Sequence, residues 1–157
     1  MLLYLPTLEI VYEIHDIVLN VTGGRTGIHV ENDIHRAIER PMTYTSFVDD
    51  YDVDTICAVL VDSIARYHGF KDGNKRTALM TAILTYRIND VHFKSTVKMN
   101  KDFDALVMWV VKKKPEIIDI EVRLKSLRQR HQTDSEQSFK SVLSSFIKMR
   151  LKKDQKK

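Results

Sequence analysis

The chain has 157 residues, 43% hydrophobic and 29% charged, with five Gly and three Pro, the composition of one globular domain large enough to bury a core. No run reaches the roughly 18–20 apolar residues a membrane-spanning helix needs, and the single cysteine, Cys57, excludes an internal disulfide and a thiolate metal cluster. The net charge of +4 is unevenly spread: residues 128–157 carry nine Lys/Arg against three Asp/Glu, so the basic character belongs to that segment and the rest is slightly acidic.

The N-terminal stretch MLLYLPTLEIVYEIHD has no basic start and soon carries acids, so no signal peptide is expected and a cytoplasmic location fits. Apolar residues recur at helical spacing along most of the chain and strand-like alternation is scarce, which predicts an all-α fold. A first helix is expected from about Leu8 to Val21, capped by Thr7, ended by Gly23-Gly24, with Ile10, Ile14, Ile17, Val18 and Val21 inward. A second is expected near Asn32 to Glu39, stopping before Pro41. Residues 41–51, PMTYTSFVDDY, read as a short hairpin or an irregular flap.

A third helix is expected from about Asp54 to Arg66, with Ile56, Val59, Leu60, Ser63 and Ile64 inward. A fourth, about Asn74 to Ile88, is apolar on several sides and reads as the central, buried helix of the bundle. VHFKSTV reads as a short extended stretch, and helices near Lys101–Lys112 and Glu116–Gln129 follow. The last segment places Phe139, Val142, Leu143, Phe146 and Ile147 on one face of a basic amphipathic helix, expected to pack on the domain or on a partner. The division expected is a domain over residues 1–127 and a basic extension over 128–157.

Between the third and fourth helices lies YHGFKDGNKRTAL. If the fourth helix starts at Gly73 or Asn74, its first turn offers unpaired N–H groups and a partial positive charge, a ready anion site. Gly73 lets backbone approach a ligand, Asn74 adds an amide, and Lys75 and Arg76 add cations, Arg76 with the fork that grips phosphate. Asp72 stands where one carboxylate can hold Mg²⁺ shared with phosphate oxygens. His68 is the side chain whose ordinary titration suits proton abstraction near neutral pH. Together they describe transfer of a phosphate-containing group from a nucleotide to a hydroxyl, although such a loop can also be a solvated turn with capping residues.

HGFKDGNKR resembles the Fic/Doc (Fido) signature H-x-F-x-D/E-G/A-N-G/K-R at every defining position, and residues 23–41, GGRTGIHVENDIHRAIERP, resemble the segment before the flap in death-on-curing (Doc) proteins. The resemblance covers about Leu8 to Leu127. It implies that His68 is the base for a target Ser or Thr hydroxyl, that Asp72 holds Mg²⁺, and that Gly73, Asn74 and Arg76 bind the phosphates of ATP. It also implies that the flap pairs with an extended piece of the target protein. Thr43 and Tyr44 read equally as target contacts and as exposed loop.

Fic proteins that transfer AMP usually carry Gly after the Asn, then an Arg and a second Arg three residues on; here Lys75 and Leu79 stand in the first and last of those places. Both changes are those of Doc-like toxins, which bind the nucleotide reversed and transfer its γ-phosphate to a threonine of translation elongation factor Tu. Gly73, where Doc has Ala, leans toward Fic, so the resemblance implies a kinase toxin with AMP transfer as the alternative. No S/T-x-x-x-E-G/N inhibitory motif occurs at either end, so restraint is expected from a separate antitoxin chain that folds on the toxin's surface.

His15-Asp16 resembles the metal-binding pair of HD phosphohydrolases, with His29, His35 and Asp33 as candidate partners, but nothing fixes their spacing and His15 reads as an ordinary amphipathic-helix residue. Arg66 reads as a phosphate contact or as a surface Arg at a helix end, and Cys57, Trp109 and the Met residues read as core. The basic segment keeps a second class open, a catalytically silent partner- or nucleic-acid-binding module. It lacks the interleaved aromatics of a single-strand binder, so direct nucleic-acid contact is not expected.

Overall fold

The structure is a computed structural model and describes residues 2–134 and Ser144. Its elements are α1 (Leu8–Thr22), α2 (Glu31–Thr45), α3 (Val53–Tyr67), α4 (Asn74–Ile88), β1 (His92–Phe93), α5 (Val97–Lys113), α6 (Ile117–His131) and β2 (Gln132–Thr133). The fold is all-α, as the periodicity predicts; β1 and β2 form only a two-residue antiparallel ribbon, which ties the end of α6 to the start of α5. Side chains take up the first free N–H groups where the sequence supplies them. Thr7 accepts from Ile10 at α1, Asp52 accepts from Asp54 and Thr55 at α3, and Thr96 accepts from Met99 at α5. Among the described residues no helix is long and apolar enough to cross a membrane. The expected C-terminal amphipathic helix over Phe139–Ile147 lies, apart from Ser144, outside the described residues.

α3 is the axis of the bundle. Every residue from Val53 to Ala65 is buried, and α2, α4, α5 and α6 all pack on it. The central position expected for α4 therefore belongs to α3, with α4 alongside. A helix buried all round must satisfy any charge it buries, and α3 buries two carboxylates. Asp54, fully buried, accepts from Tyr86 Oη at 2.7 Å and from Arg128 Nε and Nη2 at 2.9 and 2.7 Å, which joins α3 to α4 and α6. Asp62 accepts from Arg66 on its own helix at 2.6 Å and from Arg40 of α2. Burial, together with the neighbouring Cys57 and Asp54, pushes the Tyr86 phenol well above its ordinary range, so it stays a donor.

Two expectations about the surface helices are corrected. α1 buries Val11, Ile14, His15, Val18 and Leu19, while Ile10, Ile17 and Val21 are each more than a third exposed. The helix is apolar on two overlapping faces, and its partner, the bend after α3, selects the face that contains a histidine. The second correction concerns the flap: α2 runs through Pro41 to Thr45, and no hairpin forms over residues 41–51. Pro41 has no N–H to give to the carbonyl of Ala37. That carbonyl lies 3.0 Å from Ser63 Oγ of α3, a hydroxyl shared with the Val59 carbonyl at 2.7 Å, so α3 compensates the lost bond and the helix continues.

Removing Arg128 leaves the Asp54 carboxylate buried with a single neutral donor. Arg128→Met is expected to lower the unfolding free energy by about 3 kcal/mol in denaturant titration. The double variant Asp54→Asn with Arg128→Met, which removes both charges, is expected to recover most of that loss.

Candidate active site

The bend between α3 and α4 has almost no regular structure, yet most of its backbone groups from Gly69 to Gly73 are bonded. His68 ends α3 in the left-handed region, φ 56°, and leaves its imidazole exposed; among the described residues that ring has no hydrogen-bond partner. The Gly69 carbonyl accepts from the N–H groups of His29 and Val30 at 2.8 and 3.0 Å, and Lys71 N–H donates to the Gly27 carbonyl at 3.0 Å. Residues 27–30, between α1 and α2, thus lie along the bend as a short antiparallel partner, with Ile28 opposite Phe70. Gly69 is required there because a Cβ would overlap the Ile34 side chain.

Asn74 clamps the bend from inside: its amide oxygen accepts from Phe70 N–H at 3.0 Å and its amide nitrogen donates to the Phe70 carbonyl at 2.9 Å. The side chain expected among the phosphates spends half of its hydrogen-bonding capacity on the loop. Phe70 itself is buried against Val11 and Ile34, edge-on to Tyr12, and plugs the bend into the domain.

Gly73, at φ 80°, turns the chain into α4, whose start has no side-chain cap. The first helical bond is Thr77 N–H to the Gly73 carbonyl at 2.8 Å, so the N–H groups of Asn74, Lys75 and Arg76 face outward without a helical partner. They border a cavity of about 540 Å³ lined by Thr22, Gly23 and Gly24 at the end of α1, by His68, and by Lys71 to Arg76. Three cations and one carboxylate belong to that lining. Neither Lys71 nor Lys75 is ion-paired among the described residues.

Arg76 donates to Thr22 Oγ1, to the Gly23 carbonyl at 2.8 Å and to Asp72 Oδ1 at 3.2 Å. Three of its five donors are used, and two are left for an anion. Asp72 accepts from Gly73 N–H at 2.6 Å and Arg25 N–H at 3.1 Å besides Arg76. Partial burial works to raise the Asp72 pKa, but the two backbone donors and the charges of Arg76 and Arg25 outweigh it and hold the carboxyl below its ordinary value. It is an anion at working pH. The Gly24 backbone lies so close that a Cβ there would be 2.6 Å from Asp72 Oδ2.

A family model described as Fic/DOC family matches residues 5–86. The chain belongs to the Fic/DOC family. No curated protein matches it. Family members are generally transferases that modify protein hydroxyls, and the matched span holds every residue of this Fic/DOC site from α1 to α4.

The bend brings His68, Asp72, Gly73, Asn74, Lys75 and Arg76 to one place; Thr43 and Tyr44 do not line the cavity. Thr43 is exposed on the last turn of α2, and Tyr44 is half-buried against the core. Arg66 pairs with Asp62 and also stays outside the lining. The HD-type reading falls: among the described residues no group of three His, Cys, Asp or Glu could hold a metal. Sequence reasoning missed Thr22, Arg25 and His15, whose bonds to Arg76 and Asp72 bring α1 and the segment after it into the site, and Gly24, whose backbone lies against the Asp72 carboxylate. The signal was the Gly-Gly pair at the end of α1, read as a helix stop and as the start of the family-like segment 23–41 but not as part of the site.

A carboxylate with a depressed folded pKa contributes stability above its unfolded pKa and loses it as pH falls through the folded value. Asp72→Asn should therefore lower stability slightly at pH 7, by about 1 kcal/mol for so exposed a group. In melting curves taken against pH, the gap to wild type is expected to close once the pH falls well below 3.8, the ordinary value for this side chain.

Proposed function

We propose that this Fic/DOC protein is the toxin of a toxin–antitoxin pair, a Doc-like kinase that transfers the γ-phosphate of ATP to a Ser or Thr hydroxyl of translation elongation factor Tu. The observation that carries the reading is the uncapped start of α4 opening on a cavity that His68 and three cations also line. The N–H groups of Asn74, Lys75 and Arg76, with the Lys75 ammonium and the unused Arg76 donors, bind the phosphates. His68, whose ring has no hydrogen-bond partner among the described residues, takes the proton of the attacking hydroxyl. A lone carboxylate suits Mg²⁺, which is commonly held by one or two carboxylates and completed by phosphate oxygens. Asp72, ionised and part-exposed, would hold it, and the ion would neutralise phosphate charge.

Support for the kinase over AMP transfer comes from Lys75 and Leu79. Lys75 is exposed on the cavity, adding bulk and charge. Leu79 is buried in the core, so the position of the second arginine in AMP-transferring relatives supplies no phosphate ligand. Target contacts through Thr43 and Tyr44, and neutralisation by a separate antitoxin chain, complete the proposal on the strength of the resemblance.

The test incubates the full chain with elongation factor Tu, Mg²⁺ and ATP labelled at the α- or the γ-phosphate. Label on the target from the γ position alone is expected; label from the α position would mean AMP transfer, and none from either would sink both on that target. His68→Ala is expected to reduce transfer by about 10²–10⁴-fold while the melting temperature stays close to wild type.

A further inference from the structure

We propose that His15 is a positioning residue that holds the Asp72–Gly73 peptide unit in the orientation the site requires, a role that rests on the transferase reading above. The imidazole is 3% exposed and sits under the bend, outside the cavity lining. Its Nε2 lies 2.9 Å from the Asp72 carbonyl oxygen. A carbonyl can only accept, so Nε2 carries the hydrogen and donates. The ring lies flat on Phe70, with 3.8 Å between centroids and 10° between planes. It also fills the space beside Gly73, where a Cβ would come within 3.6 Å of it. Asp16 is not its hydrogen-bond partner: the carboxylate is 3.8 Å from Nδ1, beyond hydrogen-bond length, and its side chain is 78% exposed.

The bond acts on one rigid plane. A peptide unit is planar, so fixing the Asp72 carbonyl fixes the direction of the Gly73 N–H. That N–H donates to Asp72 Oδ1 at 2.6 Å. His15 therefore sets, through one hydrogen bond, both the aim of the carboxylate and the entry angle of α4. Without the donor, the carbonyl has no partner among the described residues and the glycine on its far side is free to turn.

The test compares His15→Leu, which keeps apolar bulk and loses the donor, with His15→Gln, whose side-chain amide can restore it; His15→Met is the second apolar variant should the leucine chain not fold. Amide hydrogen exchange on the full chain without ligand reads the bend directly. The apolar variant is expected to exchange Phe70, Lys71 and Gly73 about tenfold faster than wild type, with α5 and α6 unchanged, and His15→Gln to stay near wild type. Calorimetric titration with MgATP is expected to show weaker binding for the apolar variant and near-normal binding for the glutamine. Equal behaviour of the two variants, or acceleration spread evenly through α5 and α6, overturns the proposal, since His15 would then only fill space. A wild-type chain that binds no MgATP while exchange follows the expected pattern overturns the transferase reading and upholds His15 as the holder of the bend.

Discussion

The peptide unit between Asp72 and Gly73 is fixed at both ends, by His15 at its carbonyl and by the Asp72 carboxylate at its N–H. Everything the site offers is arranged around that plane. On one side is a carboxylate that also accepts from Arg25 and Arg76; on the other is the open first turn of α4. A bend with this geometry could not hold itself, because Gly73 and Gly69 have little intrinsic preference for one conformation. It is held by α1 below, by residues 27–30 alongside and by the Asn74 amide within. The cost of ordering these groups is met in folding and not when a ligand arrives, which is what preorganisation means for binding.

Charge is distributed with the same economy. The two buried carboxylates of α3, Asp54 and Asp62, are each matched to arginines and serve to join helices. At the cavity the balance differs: Asp72 is ion-paired with Arg76, and Lys71 and Lys75, without an ion pair among the described residues, are left as surplus positive charge beside uncapped N–H groups. A surface that keeps cations unpaired next to a helix start presents a field suited to a polyanion. The same residue types thus do opposite jobs, closed and neutral along α3, open and positive at the start of α4.

Much of this was legible in the sequence because it rests on local signals. Thr7 and Gly23 bound α1 as expected, and α4 spans Asn74 to Ile88 as its pattern predicts. Gathering His68, Asp72 and Arg76 at one bend needed only the helix–loop–helix spacing. What escaped required knowledge of a neighbour. Pro41 reads as a helix stop until Ser63 is known to lie beside the carbonyl it orphans. The buried face of α1 could not be chosen because its central residue is a histidine, and a histidine reads as polar unless the carbonyl it meets, 57 residues away, is in view. The second job of Asn74 was hidden because nothing in one dimension shows that its amide folds back on Phe70.

The size of the functional unit follows from these bonds. A nine-residue motif carries the groups proposed to react, but His15, Thr22, Gly23 and Arg25 bond to Asp72 and Arg76, so the unit begins in α1 and ends in the first turn of α4. The family match over residues 5–86 covers that unit and stops before α5. α5 and α6 supply burial for α3 and the arginine that satisfies Asp54, which is a structural demand that many side-chain arrangements could meet. The site makes a stricter demand, one donor on one carbonyl and one glycine against one carboxylate, while the side chain that α5 adds to the cavity lining is the apolar Val111.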